Sequence, residues 1–93
     1  MSKWRFVITP EGENGLDKLD TKTRVWVVNK LEWLVNNLEN ISPLPLGGLW
    51  RGFFKSRVGK WRIIYEIEHG KQLVTIHQVG LRDKIYRRLR KNG

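Results

Sequence analysis

The hydrophobic period of this 93-residue chain changes once, and that change limits what it can fold into. Over residues 21–40, Val27, Leu31, Leu34, Leu38 and Ile41 recur at i, i+4, i+7, i+11 and i+14, the stripe of an amphipathic helix. From residue 49 onward the pattern turns to a period of two, as expected for side chains on the two faces of a strand. A helical half followed by a strand half predicts an α+β layer, with helices gathered on one face of a mainly antiparallel sheet.

The individual elements follow from local chemistry. Lys3-Trp4-Arg5-Phe6-Val7-Ile8 alternates charged and apolar residues and reads as a first strand. Thr9-Pro10-Glu11 places Pro at a first helical position, but Gly12 and Gly15 weaken the turns after it, so a short or irregular helix over 11–18 is predicted. Asp20 or Thr21 can cap the long helix over 21–40. Val25, Trp26, Val28, Trp33 and Val35 widen its apolar surface, so part of its flank meets the first helix or a partner; Trp26 and Trp33 are expected to join the core. Ser42-Pro43-Leu44-Pro45-Leu46-Gly47-Gly48 ends the helix as a loop within the domain.

Trp50 to Val58 is predicted as a strand with Arg51, Phe53, Lys55 and Arg57 on one side, three cations on one face. Gly59-Lys60 turns it into Trp61–Ile67, where Arg62, Ile64 and Glu66 share a side and Tyr65 lies with the core. After a turn at His69-Gly70-Lys71, Leu73–Val79 completes a three-strand meander. Leu81, Ile85 and Leu89, at i, i+4 and i+8, mark a short basic helix at the C-terminus. The order is therefore β-α-α-β-β-β-α in one domain spanning 1–93, with one sheet face under helices and the other left for work.

Charge narrows the function. The net charge is +9: residues 1–49 carry six basic and six acidic side chains, residues 50–93 twelve basic and three acidic, so the whole excess lies in the second half. Such a surface favours a polyanion, foremost RNA or DNA, with an acidic protein or anionic membrane as alternatives. No apolar run approaches the roughly 20 residues that span a bilayer, and Met1-Ser2-Lys3-Trp4-Arg5 lacks a secretory apolar region, so a cytoplasmic protein without a membrane partner is expected. With no cysteine, thiolate nucleophiles and Cys-based zinc sites are excluded.

Neither a Gly-rich phosphate loop, a His pair at i, i+4, nor an acidic magnesium cluster is present, so no metal and no cofactor are expected. The chemistry on offer is a concentration of Lys, Arg, Tyr and one His on adjacent strands. RNA brings its own nucleophile, the 2′-hydroxyl, so a cleaving site needs in-line geometry, a proton acceptor, cations and a proton donor. Repulsion by neighbouring guanidinium groups disfavours the charged form of a lysine, which makes Lys55 the candidate base. Arg57, Arg62 and Arg82 would clamp the phosphate, and Tyr86 would stack on a base or share the proton traffic. A charge-rich strand face can equally be a solvated surface, His77 a half-buried structural histidine and His69 an inert turn residue.

The runs Arg57-Val58-Gly59-Lys60-Trp61-Arg62-Ile63-Ile64-Tyr65 and Val79-Gly80-Leu81-Arg82-Asp83-Lys84-Ile85-Tyr86 resemble the R-V-G-x-[YW]-R-[IV]-[IV]-Y … V-G-x-R-x-x-[IV]-Y pattern of RelE/ParE-superfamily toxins. The likeness extends in outline over nearly the whole chain. It implies a toxin, monomeric within a hetero-oligomeric complex, partnered by a RelB-like antitoxin with an acidic segment. RelE-like members cut mRNA in the ribosomal A site, whereas ParE-like members poison DNA gyrase. In the RNA-cleaving branch the functional positions fall here on Lys55, Arg62, Arg82 and Tyr86. The gyrase branch generally lacks this full set, so the resemblance favours RNA cleavage, with gyrase inhibition or plain nucleic-acid binding as alternatives. Arg51, Arg57, Lys60, His77, Lys84 and Arg87 are the surrounding RNA-binding candidates. Two positions depart from some relatives: Phe53 stands where a second lysine occurs, and the interval from Arg82 to Tyr86 is shorter, gaps that Arg51 or His77 would fill.

Overall fold

A computed structural model of the chain describes the backbone of residues 3–92 and the side chains of residues 3–87. Its elements are β1 (Arg5–Ile8), α1 (Pro10–Asp17), α2 (Thr21–Asn37), β2 (Leu44–Pro45), β3 (Phe53–Val58), β4 (Trp61–Glu68), β5 (Leu73–Leu81) and α3 (Arg82–Asn92), with 3-10 turns at Leu38–Asn40 and Gly48–Trp50. The expected α+β class and element order hold, and one short strand, β2, is added. The five strands lie in the order β1-β5-β4-β3-β2. β1 runs parallel to β5, and every other neighbouring pair is antiparallel.

The helix starts obey capping chemistry. Thr9 Oγ1 accepts the Gly12 amide at 3.1 Å with Pro10 in the first turn, and Asp20 Oδ1 accepts the Thr23 amide at 2.8 Å. Hydrogen bonds from the Thr23 side chain and amide hold the Asp20 carboxyl below its ordinary range. α2 ends three residues earlier than its stripe implies, because Leu38–Asn40 tightens into a 3-10 turn and Ile41 turns extended ahead of Pro43.

α1 and α2 cover one face of the sheet. Leu16, Leu19, Val27, Leu31, Leu34, Val35 and Leu38 from the helical half pack on Val58, Ile63, Tyr65, Val74, Ile76 and Val79 from the strands. Gly12 and Gly15, which weaken α1 as a helix, are what let it lie this close. A methyl at Gly12 would stand 2.8 Å from the Ile76 carbonyl oxygen, and one at Gly15 would overlap the Val79 carbonyl oxygen.

Tyr65 joins this core as its parity requires, and burial pushes its phenol up to about 12 from 10.0. The unfolded chain therefore releases this proton near pH 10 while the folded chain keeps it to about 12. Stability should be whole below pH 10 and fall as pH rises to 12, by roughly 2–3 kcal/mol from this group. Urea titrations at pH 9 and pH 11 should show about half of that drop in the native protein and a smaller one in Tyr65→Phe.

Three expectations are corrected. Trp26 and Trp33 are 53% and 45% exposed rather than core. They sit on the flank of the buried stripe, where Trp26 lies over Gly59 of the β3–β4 turn and Trp33 carries Lys30 Nζ 4.0 Å above its ring. The strand expected from Trp50 begins only at Phe53, because Gly48 and Gly52 take φ values of +63° and +97°; Arg51 consequently lies in a turn, and three cations do not line β3. Finally, the sheet face opposite α1 and α2 is not left open. α3 folds back on it, with Ile85 buried against Ile64 inside a ring of Leu46, Trp50, Phe53 and Tyr86. The expected contribution of Leu89 lies outside the described side chains. Among the described residues no helix is long and apolar enough to cross a membrane.

Candidate active site on the second sheet face

Pairing register arranges the second face in three rows. Nearest the β3–β4 turn, Arg57 stands opposite Arg62 and Arg62 opposite Gly80. The middle row is Lys55, Ile64 and Gln78, and the third begins with Phe53 opposite Glu66. Between these rows the β4–β5 register slips at Ile64/Tyr65, so that Gln78 faces Ile64 and Ile76 faces Tyr65 while His77 has no partner of its own. His77 follows Val74 and Ile76 of the core in ordinary alternation, which puts its side chain on this face: its Nε2 lies 3.2 Å from Glu66 Oε1, and its ring meets that of Phe53 edge-on, centroids 5.0 Å apart.

α3 completes the site. The Arg82 amide donates to the Lys60 carbonyl at 3.2 Å, which ties the first residue of the helix to the β3–β4 turn. One turn on, with Ile85 fixed on Ile64, Tyr86 is brought over β3, where Lys55 Nζ approaches its hydroxyl to 3.4 Å and lies 5.8 Å from its ring centre. Both side chains are half-buried. An amine held against a phenol, with guanidinium groups one row away, offers hydrogen-bond donors and positive charge to a bound phosphate.

The other sequence candidates take varied positions around this contact. Arg62 is 9% exposed, and its Nη1 donates at 2.8 Å to the carbonyls of both Gly59 and Trp61, so this cation first serves to brace the turn. Arg57 and Arg82 are exposed at the same end of the sheet, beside Lys60. Arg87 is exposed on α3. Two candidates stand apart from the Lys55–Tyr86 contact. Arg51 is exposed in the turn before β3, and Lys84 lines a cleft of about 200 Å³ with Gly15, Lys18 and Trp61 on the α1 side. His69 sits in the β4–β5 turn with its ring edge-on to Trp4. Sequence reasoning did not single out Glu66 as a partner for His77. Its parity with Arg62 was readable, but the meeting with His77 depends on the pairing register of β4 with β5, which sets Glu66 opposite Thr75 and which neither strand states by itself.

The family model described as ParE toxin of type II toxin–antitoxin system, parDE, matches residues 6–86. No curated protein sequence matches the chain significantly. Among solved structures, the RelBE2 toxin–antitoxin complex of Mycobacterium tuberculosis has a chain 25% identical, with a TM-score of 0.77 over 85% of this chain and 98% of that one. The isolated RelE toxin of E. coli is 17% identical, with a TM-score of 0.70 over 96% of this chain and 97% of that one. A chain of the archaeal RelE–RelB complex of Pyrococcus horikoshii is 18% identical, with a TM-score of 0.66 over 88% and 97%.

Proposed function

Because this chain belongs to the ParE toxin family of type II toxin–antitoxin systems, we propose that it acts as a metal-independent endoribonuclease that cuts mRNA at the ribosome. One observation carries the reading: Lys55 Nζ stands 3.4 Å from the Tyr86 hydroxyl on a face whose next row holds Arg57 and Arg62. Lys55 takes the proton of the mRNA 2′-hydroxyl, which attacks the adjacent phosphorus. Arg57 and Arg82, with Arg62 behind them, hold the phosphate and stabilise its developing negative charge. Tyr86 aligns the amine and offers its ring to a base. The product is a 2′,3′-cyclic phosphate.

The same basic face is where an antitoxin would act. Relatives of this fold occur in complexes with RelB, and an acidic RelB-like segment would neutralise the arginine rows or lift α3 from Ile64. The toxin would then be one monomer in a cytoplasmic hetero-oligomer. Gyrase inhibition without catalysis is the second reading; the Nη1 bonds that commit Arg62 to the turn, together with Phe53 in place of a lysine, favour it.

The two readings part on one comparison. In a translating extract the native protein should cut mRNA, and Arg82→Ala should cut about 100-fold more slowly, as for loss of one charge-stabilising donor. Uncut mRNA together with inhibited gyrase supercoiling would replace the nuclease by the gyrase inhibitor.

A further inference from the structure

The reaction needs a second proton transfer that Lys55 and Tyr86 are badly placed to supply. As the P–O5′ bond breaks, its electron pair stays on O5′, which must be protonated to leave as a hydroxyl. In-line attack puts O5′ on the far side of phosphorus from the 2′-oxygen, so the donor must stand across the phosphate from the base. Tyr86 is on the wrong side, since its hydroxyl is held at Lys55 Nζ.

Resting on the nuclease reading above, we propose that His77, held by Glu66, is the catalytic residue that protonates the leaving 5′-oxygen. Three observations place it. His77 alternates with Val74 and Ile76 of the core, which puts its side chain on the same sheet face as Lys55. Its ring reaches across β4 to meet Phe53, and Phe53 is two residues from Lys55 on the same side of β3. Two residues of strand span about 7 Å, a separation that lets a phosphate sit between two groups, each within hydrogen-bond reach of one apical oxygen. The side chains of His77 and Glu66 are 28% and 41% exposed, so a substrate can reach the pair.

The chemistry of the pair matches the task. Glu66 Oε1 engages Nε2, which orients the ring and leaves Nδ1 for the substrate. Phe53 serves as a wall for the imidazole, which gives the residue found in place of a lysine a use of its own. The balance is complete: the 2′-hydroxyl proton passes to Lys55, O2′–P forms, P–O5′ breaks, and the Nδ1 proton of the imidazolium passes to O5′. Solvent then restores both groups.

The test uses a leaving group that needs no proton. Ribosomes are programmed with a synthetic mRNA carrying either the natural 5′-oxygen or a bridging 5′-sulfur at the scissile bond, and single-turnover cleavage is timed for the native protein and His77→Gln. The expected result is a loss of about 100-fold or more on the oxygen linkage and a rate within a few-fold of native on the sulfur linkage. Equal loss on both linkages, or no loss on oxygen, overturns the assignment of His77. A native protein that cuts neither RNA removes the nuclease reading itself, and this inference with it. If His77→Gln does not fold, Glu66→Gln is put through the same pair of substrates and should show a smaller loss on oxygen, again relieved by sulfur; loss without relief overturns the proposal.

Discussion

Lys55→Ala should lower mRNA cleavage in a translating extract by about 1000-fold, the middle of the range for removing a general base. The side chain's hydrogen bond is to the Tyr86 hydroxyl, so its loss leaves the packing of Ile85 on Ile64 in place and the melting temperature close to native. Lys55→Arg separates charge from proton transfer. Arginine keeps the positive charge and reaches a phosphate at least as well, but it does not give up its proton in a protein. Arginine at this position should therefore be nearly as inactive as alanine. Cleavage products resolved on a sequencing gel would show it, and a native rate for Lys55→Arg would reduce Lys55 to a phosphate anchor.

Gly15→Ala should destabilise the fold by roughly 2 kcal/mol, even though alanine is the better helix former by about 1 kcal/mol. The added methyl would overlap the Val79 carbonyl oxygen, which is backbone in the middle of the sheet and cannot swing aside. α1 would have to lift from β5, loosening Leu16 from the core. A urea titration should show the midpoint falling by about 1 M. Gly70→Ala is the control, since a methyl there meets nothing within 4 Å. A more stable Gly15→Ala protein would mean that α1 does not rest on β5 as described.

The glycines show what a sequence conveys and what it conceals. Read locally, Gly12 and Gly15 argue against a helix; read against β5, they permit one, and the strand that decides the matter lies more than sixty residues away. Elements governed by their own residues were legible: the Asp20 cap, the stripe from Val27 to Leu38, the hairpin through Gly59-Lys60 and the burial of Tyr65. Those governed by distant partners were not. Leu44 and Pro45 look like loop but gain β3 as a neighbour. Trp26 and Trp33 look like core, yet they stand about a quarter-turn from Val27 and Leu34, far enough to reach solvent at the edge of the sheet. For the site, strand parity alone was enough to put Lys55 and Arg62 on one face. It could not foresee that α3 would bring Tyr86 over Lys55, or that the β4–β5 register would set His77 beside Glu66.

The pairing of β1 with β5 also governs when such a protein can become harmful. Arg5 to Ile8 find their neighbours at Leu73 to Ile76, so β1 waits for β5, the last strand in chain order. Closing so long a loop carries an entropic cost, and contacts this remote slow folding. A nascent chain still lacking β5 has neither the central partner for β1 nor a platform for α3, and hence no assembled centre. Whatever this face does must in this way wait until β5 and the start of α3 have been made.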